Sequence, residues 1–291
     1  MTLWIKGFQP EMPALLRIES VATSGQVHKM SQEVDANRVT AELFAALAKD
    51  AAKALSGGLR DALHSIFNAL RENISAYMSS TIDRCSFVKT ILINRDRPTF
   101  FPKIYVHTIL RSRSKSYTDD QLISNLPRVK TIIIEGSAGS GKSMFMRYLF
   151  LSLCEKPGGK VPLFVELRHL NNLQTKNLKT YILYSILNPG SQITQDQFDR
   201  GLRNGAFTLI LDGLDEVDFD IRKDVESQIR ELHQFSEIQL IVSSRPDPDN
   251  RFESWTRFFV YRIEPMTEKQ TFALISKLEY DKDKKSNSWR L

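Results

Sequence analysis

Thr131-Ile-Ile-Ile-Glu135 runs straight into Gly136-Ser-Ala-Gly-Ser-Gly-Lys-Ser143, and the reading of these residues decides the fold. Thr131–Ile134 is a short β-branched run suited to a strand buried on both faces. The next eight residues match G-x-x-x-x-G-K-[ST]. Glycine lets the backbone curl tightly and turn its N–H groups inward as an anion nest. An amphipathic helix over 143–153 is expected to follow, adding its positive N-terminal end. The candidate nucleotide-binding set is therefore Gly136, Ser137, Ala138, Gly139, Ser140, Gly141, Lys142, Ser143 and Met144. Lys142 supplies a mobile cation for β- and γ-phosphates, and the Ser143 hydroxyl is a ligand for Mg²⁺.

Outward from this loop, strand and helix patterns alternate. Further strand runs are expected over 161–167, 207–211, 238–242 and 258–263, and helices over about 142–154, 177–188, 195–204, 221–235 and 267–280. Thr194-x-x-Gln197 and Thr267-x-x-Gln270 each have the form of a capping box. Strands separated by helices predict βαβ units, a mostly parallel sheet and a three-layer α/β core of the P-loop NTPase type. A P-loop needs a second anchor for Mg²⁺, and Thr208-Leu-Ile-Leu-Asp212 ends a buried strand in a carboxylate. Asp212 is thus the expected Walker B acid. Two more acids, Asp215 and Glu216, lie just past it. One of them is expected to orient or deprotonate the attacking water, and the sequence does not choose between them. The alternative is that they only solvate a loop, as expected for Asp218 and Asp220. Finally, Ile238-Gln-Leu-Ile-Val-Ser-Ser-Arg-Pro246 places Arg245 at the end of a buried strand, on the ligand-binding edge of a parallel sheet. A guanidinium there suits sensing of the γ-phosphate. Its alternative is an ion pair with Asp247 or Asp249.

Taken together, GSAGSGKS at 136–143, LILDGLDE at 209–216 and VSSRP at 242–246 resemble the NACHT family, a branch of the STAND group of P-loop NTPases. The distinctive part is the small residue after the metal-binding acid, followed by a nearby acidic pair. Arg262-Ile-Glu-Pro-Met-Thr-Glu-Lys-Gln270 is similar to the family's passage from the last core strand into the next helix, and Lys103-Ile-Tyr-Val106 is similar to the region leading into bacterial members. The resemblance implies an ATP/ADP-binding, slowly hydrolysing switch with roles in innate immunity or defence against phage. It also implies protein partners or self-association on activation. ATP against GTP stays open, because no motif reads the base. Members usually continue into a helical domain, a winged helix and sensor repeats. The chain ends at Leu291 without them, so a truncated or split member is expected. Readings of another kind are a nucleotide-binding interaction module without turnover and a P-loop small-molecule kinase.

Composition narrows the rest. Of 291 residues, 42% are hydrophobic and 25% charged, which suits a soluble globular chain. The net charge of +6 is not concentrated, and no nucleic-acid site is evident. Two distant cysteines, Cys85 and Cys154, make no disulfide framework or metal site and are expected to be buried, idle thiols. No apolar run approaches a membrane span, and the start has no secretory pattern, so a cytoplasmic protein is expected. The expected division is an α-helical N-terminal region over 1–85 of unknown role, a linker with short strands over 86–127, the NTPase core over 128–265, and the start of a helical domain with a polar tail over 266–291. Within the first region, Leu59, Leu63, Ile66, Phe67, Leu70, Ile74, Tyr77 and Met78 fall on one helical face. Arg111-Ser-Arg-Ser-Lys-Ser116 is expected to be an exposed basic loop.

Overall fold

The computed structural model describes residues 74–90, 94–156, 158–186, 194–235, 237–248 and 251–278, together with Ala45. The helical readings before residue 74 lie outside them, as does the polar tail.

The chain enters on helix α1 (74–86), followed by an antiparallel pair, β1 (Phe87–Thr90) and β2 (Asn94–Phe100). A single-turn helix α2 (Phe101–Ile104) leads to a hairpin of β3 (Ile109–Ser112) and β4 (Lys115–Thr118), and then to α3 (Asp119–Asn125). The α/β alternation begins with β5 (Thr131–Glu135) and α4 (Lys142–Glu155). It continues through β6 (Val161–Glu166), α5 (Leu178–Ile186), α6 (Gln195–Arg203), β7 (Phe207–Asp212), α7 (Phe219–Leu232), β8 (Gln239–Ser244), β9 (Phe259–Ile263) and α8 (Glu268–Lys277).

Seven strands form one sheet in the order β4-β3-β9-β5-β8-β7-β6. The five from β9 to β6 are parallel, and the hairpin joins β9 antiparallel. β5, β7 and β8 are buried at every position, which is why they read as unbroken apolar runs: both faces are covered by helices. The α/β core expected from the sequence is the fold observed. Both expected capping boxes close, with Thr194 and Thr267 each accepting from the backbone N–H of the glutamine three residues on. Cys85 and Cys154 are buried, unpaired thiols.

The basic stretch 111–116 differs from its expectation. It is paired hairpin, with Arg113 at φ 54° in a two-residue turn. A turn of this kind usually announces itself by Asn or Gly. Arg-Ser carries no such signal, so the turn was not legible, although short strands were expected over 86–127.

At the other side of the sheet, β6 is the edge strand, and an unpaired edge invites wrong pairing. Tyr77 of α1 covers it. Its hydroxyl donates to the Phe164 carbonyl at 2.9 Å and accepts from the Phe164 N–H at 2.8 Å. One side chain thus satisfies both backbone groups of an edge residue and docks α1 on the sheet. Ile74, Met78, Ile82 and Cys85 of the same helix are buried beside it.

Packing beneath the opposite end of the β6–β7 pair is equally tight. Phe198 of α6 and Phe207 of β7 are fully buried with ring centroids 5.4 Å apart, and a Cβ at Gly201 would lie 2.6 Å from the Phe207 ring. Helix propensity alone favours Gly201→Ala by about 1 kcal/mol. Overpacking costs about 1–3 kcal/mol, and neither ring has space to yield. Gly201→Ala is therefore expected to lower the urea midpoint without changing the m-value; a raised midpoint would show that the Phe207 ring gives way.

Candidate functional site

The C-terminal ends of the parallel strands β5, β7 and β8 lead into the candidate site residues 136–144, 212, 215, 216 and 245. Gly136 is buried at the end of β5, with its N–H donating to the Ser244 carbonyl of β8 at 3.2 Å. Ser137, Ala138 and Gly139 form the exposed crest of the loop. Gly139 and Gly141 have φ of +74° and +90°, the left-handed region that a β-carbon disfavours. Gly141 is the N-cap of α4, so Lys142, Ser143 and Met144 supply first-turn N–H groups with no partner within the helix. The Met144 side chain packs instead on a small cluster with Val88, Phe101, Ile104, Tyr105 and Leu278.

Lys142 folds back over the loop. Its Nζ donates to the carbonyls of Gly136 at 2.6 Å and Ser137 at 3.1 Å. Burial lowers its pKa, opposed by the Asp215 carboxylate. Ser140 Oγ is closed off from solvent and has no hydrogen-bond partner among the described residues. It is a hydroxyl in the phosphate-binding loop whose bond the loop itself does not supply.

Asp212 stands at the end of β7, two strands from β5, because β8 lies between them. At strand spacings of about 4.8 Å the two are roughly 10 Å apart. Ser243 of β8, in between, is bonded to the β7 side: its Oγ donates to Asp212 Oδ1 at 2.5 Å and accepts from the Gly213 N–H at 2.8 Å. Burial pushes the Asp212 carboxyl up, and the hydroxyls of Ser243 and Ser143 oppose this by bonding the carboxylate. The charge is thus held by hydroxyls, with no ion pair to Lys or Arg among the described residues. A buried carboxylate beside the Ser143 hydroxyl is a donor set of oxygens, which fits Mg²⁺.

Gly213 has φ +81°, and a Cβ there would come within 3.2 Å of the Glu216 side chain. This is the physical reason for a small residue after the acid. The chain then turns through a 3₁₀ segment, Leu214–Glu216. Arg222 of α7 clamps that turn, donating to the carbonyls of Asp215 and Val217. Asn171 holds it from the other side, donating to the Glu216 carbonyl and accepting from the Asp218 N–H.

The acidic pair divides. Asp215 accepts from the Arg245 N–H at 3.1 Å, and its other oxygen lies 2.8 Å from Arg245 Nε. Arg245 therefore pairs with Asp215, a partner the sequence reading did not consider; Arg251 pairs with Asp247 at 2.6 Å. Glu216 is half-exposed, and Arg168 lies 3.7 Å from its carboxylate.

Sequence reasoning passed over Ser243 and Glu166. The polar end of β8 was visible, but the role of its hydroxyl depends on strand order. Glu166 ends β6 as Asp212 ends β7, and the two are register partners. Arg168 lies 2.6 Å, Arg84 3.2 Å and His169 3.5 Å from its carboxylate. A cleft of about 530 Å³ lined in part by Arg230, His233, Trp255 and Arg257 lies at the opposite end of the sheet, where Thr131 opens β5 and bonds the Arg257 carbonyl. It is remote from these groups.

A glycine-turned loop between a buried strand and a helix, facing an acid two strands away, defines a nucleotide-binding module of the P-loop NTPase class. The chain belongs to the NACHT family: the family model described as NACHT domain matches residues 130–282, more than half of the chain. No curated protein matches the chain. No helix among the described residues is long and apolar enough to cross a membrane.

The Glu166 cluster gives a pH signature. Its carboxyl is held down to about 2, the His169 ring first and the two arginines adding, against burial. The ordinary value of 4.5 applies unfolded. A depressed carboxyl contributes stability that is present above about pH 4.5 and lost as pH falls toward 2. Urea midpoints in metal-free buffer should therefore drop between pH 5 and pH 2.5 more steeply for the wild type than for Glu166→Gln.

Proposed function

We propose that this NACHT module is an ATP- and ADP-binding switch that hydrolyses ATP slowly with Mg²⁺ and acts through protein partners or self-association, in innate immune or anti-phage defence. The observation that carries the nucleotide chemistry is the meeting of the loop 136–143, Asp212 and the Asp215–Arg245 pair at one sheet edge. The defence role rests on family resemblance alone, and ATP is preferred to GTP on the same ground.

The proposed roles are these. Backbone N–H groups over 136–144 receive the phosphates, and Lys142 exchanges its loop carbonyls for β- and γ-phosphate oxygens. Ser143 and Asp212 would hold Mg²⁺, which when bound offsets the charge that builds on the transferred phosphoryl group. Glu216 accepts the proton of the attacking water at its carboxylate. The reason to prefer it over Asp215 is that Asp215 Oδ1 accepts from the Arg245 backbone N–H, a bond that does not depend on where the Arg245 side chain goes. Arg245 leaves Asp215 to bond the γ-phosphate, so Asp215 stores the sensor in its unliganded position. Nucleotide-driven switching from 1:99 to 99:1 requires about 5.5 kcal/mol of differential binding. Several charge-assisted bonds from Lys142, Mg²⁺ and Arg245 are of the size to supply it.

Binding of fluorescent ATP and ADP analogues, with phosphate release under single-turnover conditions, tests this reading. Lys142→Ala is expected to abolish binding while leaving the melting temperature within a few degrees of wild type; retained micromolar binding would sink the assignment. Glu216→Gln is expected to bind normally and lose about 10²–10⁴-fold in turnover. Unchanged turnover in that variant returns the base to Asp215. Binding without any turnover in the wild type would make the module a nucleotide-dependent interaction domain.

A further inference from the structure

We infer that Glu166 is a second carboxylate of the metal-binding edge, reaching the cation through water, and that Arg84 of α1 competes with the cation for it. This rests on the proposed Mg²⁺–nucleotide reading and names a control on that site.

Glu166 and Asp212 are register partners at the ends of adjacent parallel strands. Paired positions in a parallel ladder project to the same face of the sheet, here toward Arg84 of α1 and Ser143 of α4. The Glu166 side chain is only 14% exposed. Two acids thus stand side by side at an edge where one of them, Asp212, is bonded by hydroxyls. Like charges so placed repel, and the ion pairs gather on one of them: Arg84, Arg168 and His169 surround Glu166, while Arg147 and Lys142 act on Asp212 only from a distance. A dication beside Asp212 relieves the repulsion from the other side. Carboxylates at one remove from a metal commonly act by holding its bound waters and orienting its direct ligands.

Arg84 makes the arrangement more than a local ion pair. It sits in the last turn of α1, and Arg147 of α4 donates to the carbonyls of Arg84 and Phe87, at 3.3 Å each. The end of α1 is therefore held by the helix that leaves the phosphate-binding loop and by the acid beside the metal position. A cation that draws on Glu166 weakens its pairing with Arg84. By linkage, the Arg84 pairing weakens the cation to the same extent.

The sign of this coupling separates it from a structural salt bridge. In Mg²⁺ titrations of the full chain, read by anisotropy of a fluorescent ATP analogue, Glu166→Gln is expected to raise the half-saturating Mg²⁺ about tenfold or more. Arg84→Gln is expected to lower it several-fold, and the double variant to match Glu166→Gln alone. Two single variants that shift in the same direction overturn the inference, as do two that leave a Mg²⁺-dependent wild type unchanged. A wild type without Mg²⁺ dependence removes the proposed metal site itself and this inference with it. If thermal melting shows Glu166→Gln unfolded, Arg84→Gln alone decides, because it leaves every acid in place: an unchanged or raised half-saturation overturns the inference.

Discussion

The Ser243 hydroxyl holds the phosphate-binding edge together. The strand order places β8 between the strand that launches the loop and the strand that ends in Asp212, so the two halves of the site start about 10 Å apart. Ser243 ties the middle strand to the end of β7 by donating to Asp212 and accepting from Gly213, while the Gly136 N–H ties the end of β5 to the neighbouring Ser244 carbonyl. Each bond constrains the other. Asp212 keeps a hydrogen-bonded charge although it is buried, and Gly213 is fixed in the left-handed turn that releases the chain into the Asp215–Glu216 segment. Apolar replacement of such a hydroxyl leaves a buried donor and a buried acceptor unpaired, each costing about 1–3 kcal/mol. The position of both acids past the strand thus depends on a residue from a different strand.

The same sheet edge organises the N-terminal helix. Tyr77 closes the open backbone of β6 and Arg84 reaches the acid at its end, so α1 is bonded along β6 from Phe164 to Glu166. These contacts differ in kind. The Tyr77 bonds are buried and neutral, which makes them a fixed dock. The Arg84 pair is charged, with the acid mostly buried and the arginine partly exposed.

How much of this the sequence disclosed follows from what each feature depends on. The β-branched run before the glycine loop, the carboxylate after Leu211 and the caps at Thr194 and Thr267 are local, and each was legible. The turn of the hairpin at 109–118 was not, because Arg113 makes it in a conformation the residue type does not announce. Nor were Ser243 and Glu166, whose neighbours Asp212 and Arg84 are 31 and 82 residues away in sequence. The acidic pair shows the limit most clearly. Asp215 and Glu216 are adjacent and chemically alike, yet one faces Arg245 and the other solvent. That difference comes from a 3₁₀ turn clamped by Arg222 and Asn171. No spacing rule in the sequence encodes it.

On the proposed reading, this division is also what lets the site respond to a single phosphate group. Lys142 and Arg245 both have internal partners, loop carbonyls for one and Asp215 for the other. Neither partner is expensive to give up. The Arg245 side chain is 62% exposed, and a pair so solvated contributes about 0–1 kcal/mol. A hydrogen bond to a charged phosphate oxygen is worth about 1.5–3 kcal/mol. The exchange is therefore favourable when a γ-phosphate is present and reverses when it leaves, because Asp215 stands ready to recapture the guanidinium. A buried, strong Arg–Asp pair would have held the arginine in place through both states. The weakness of the pair is thus the property that the proposed sensing requires.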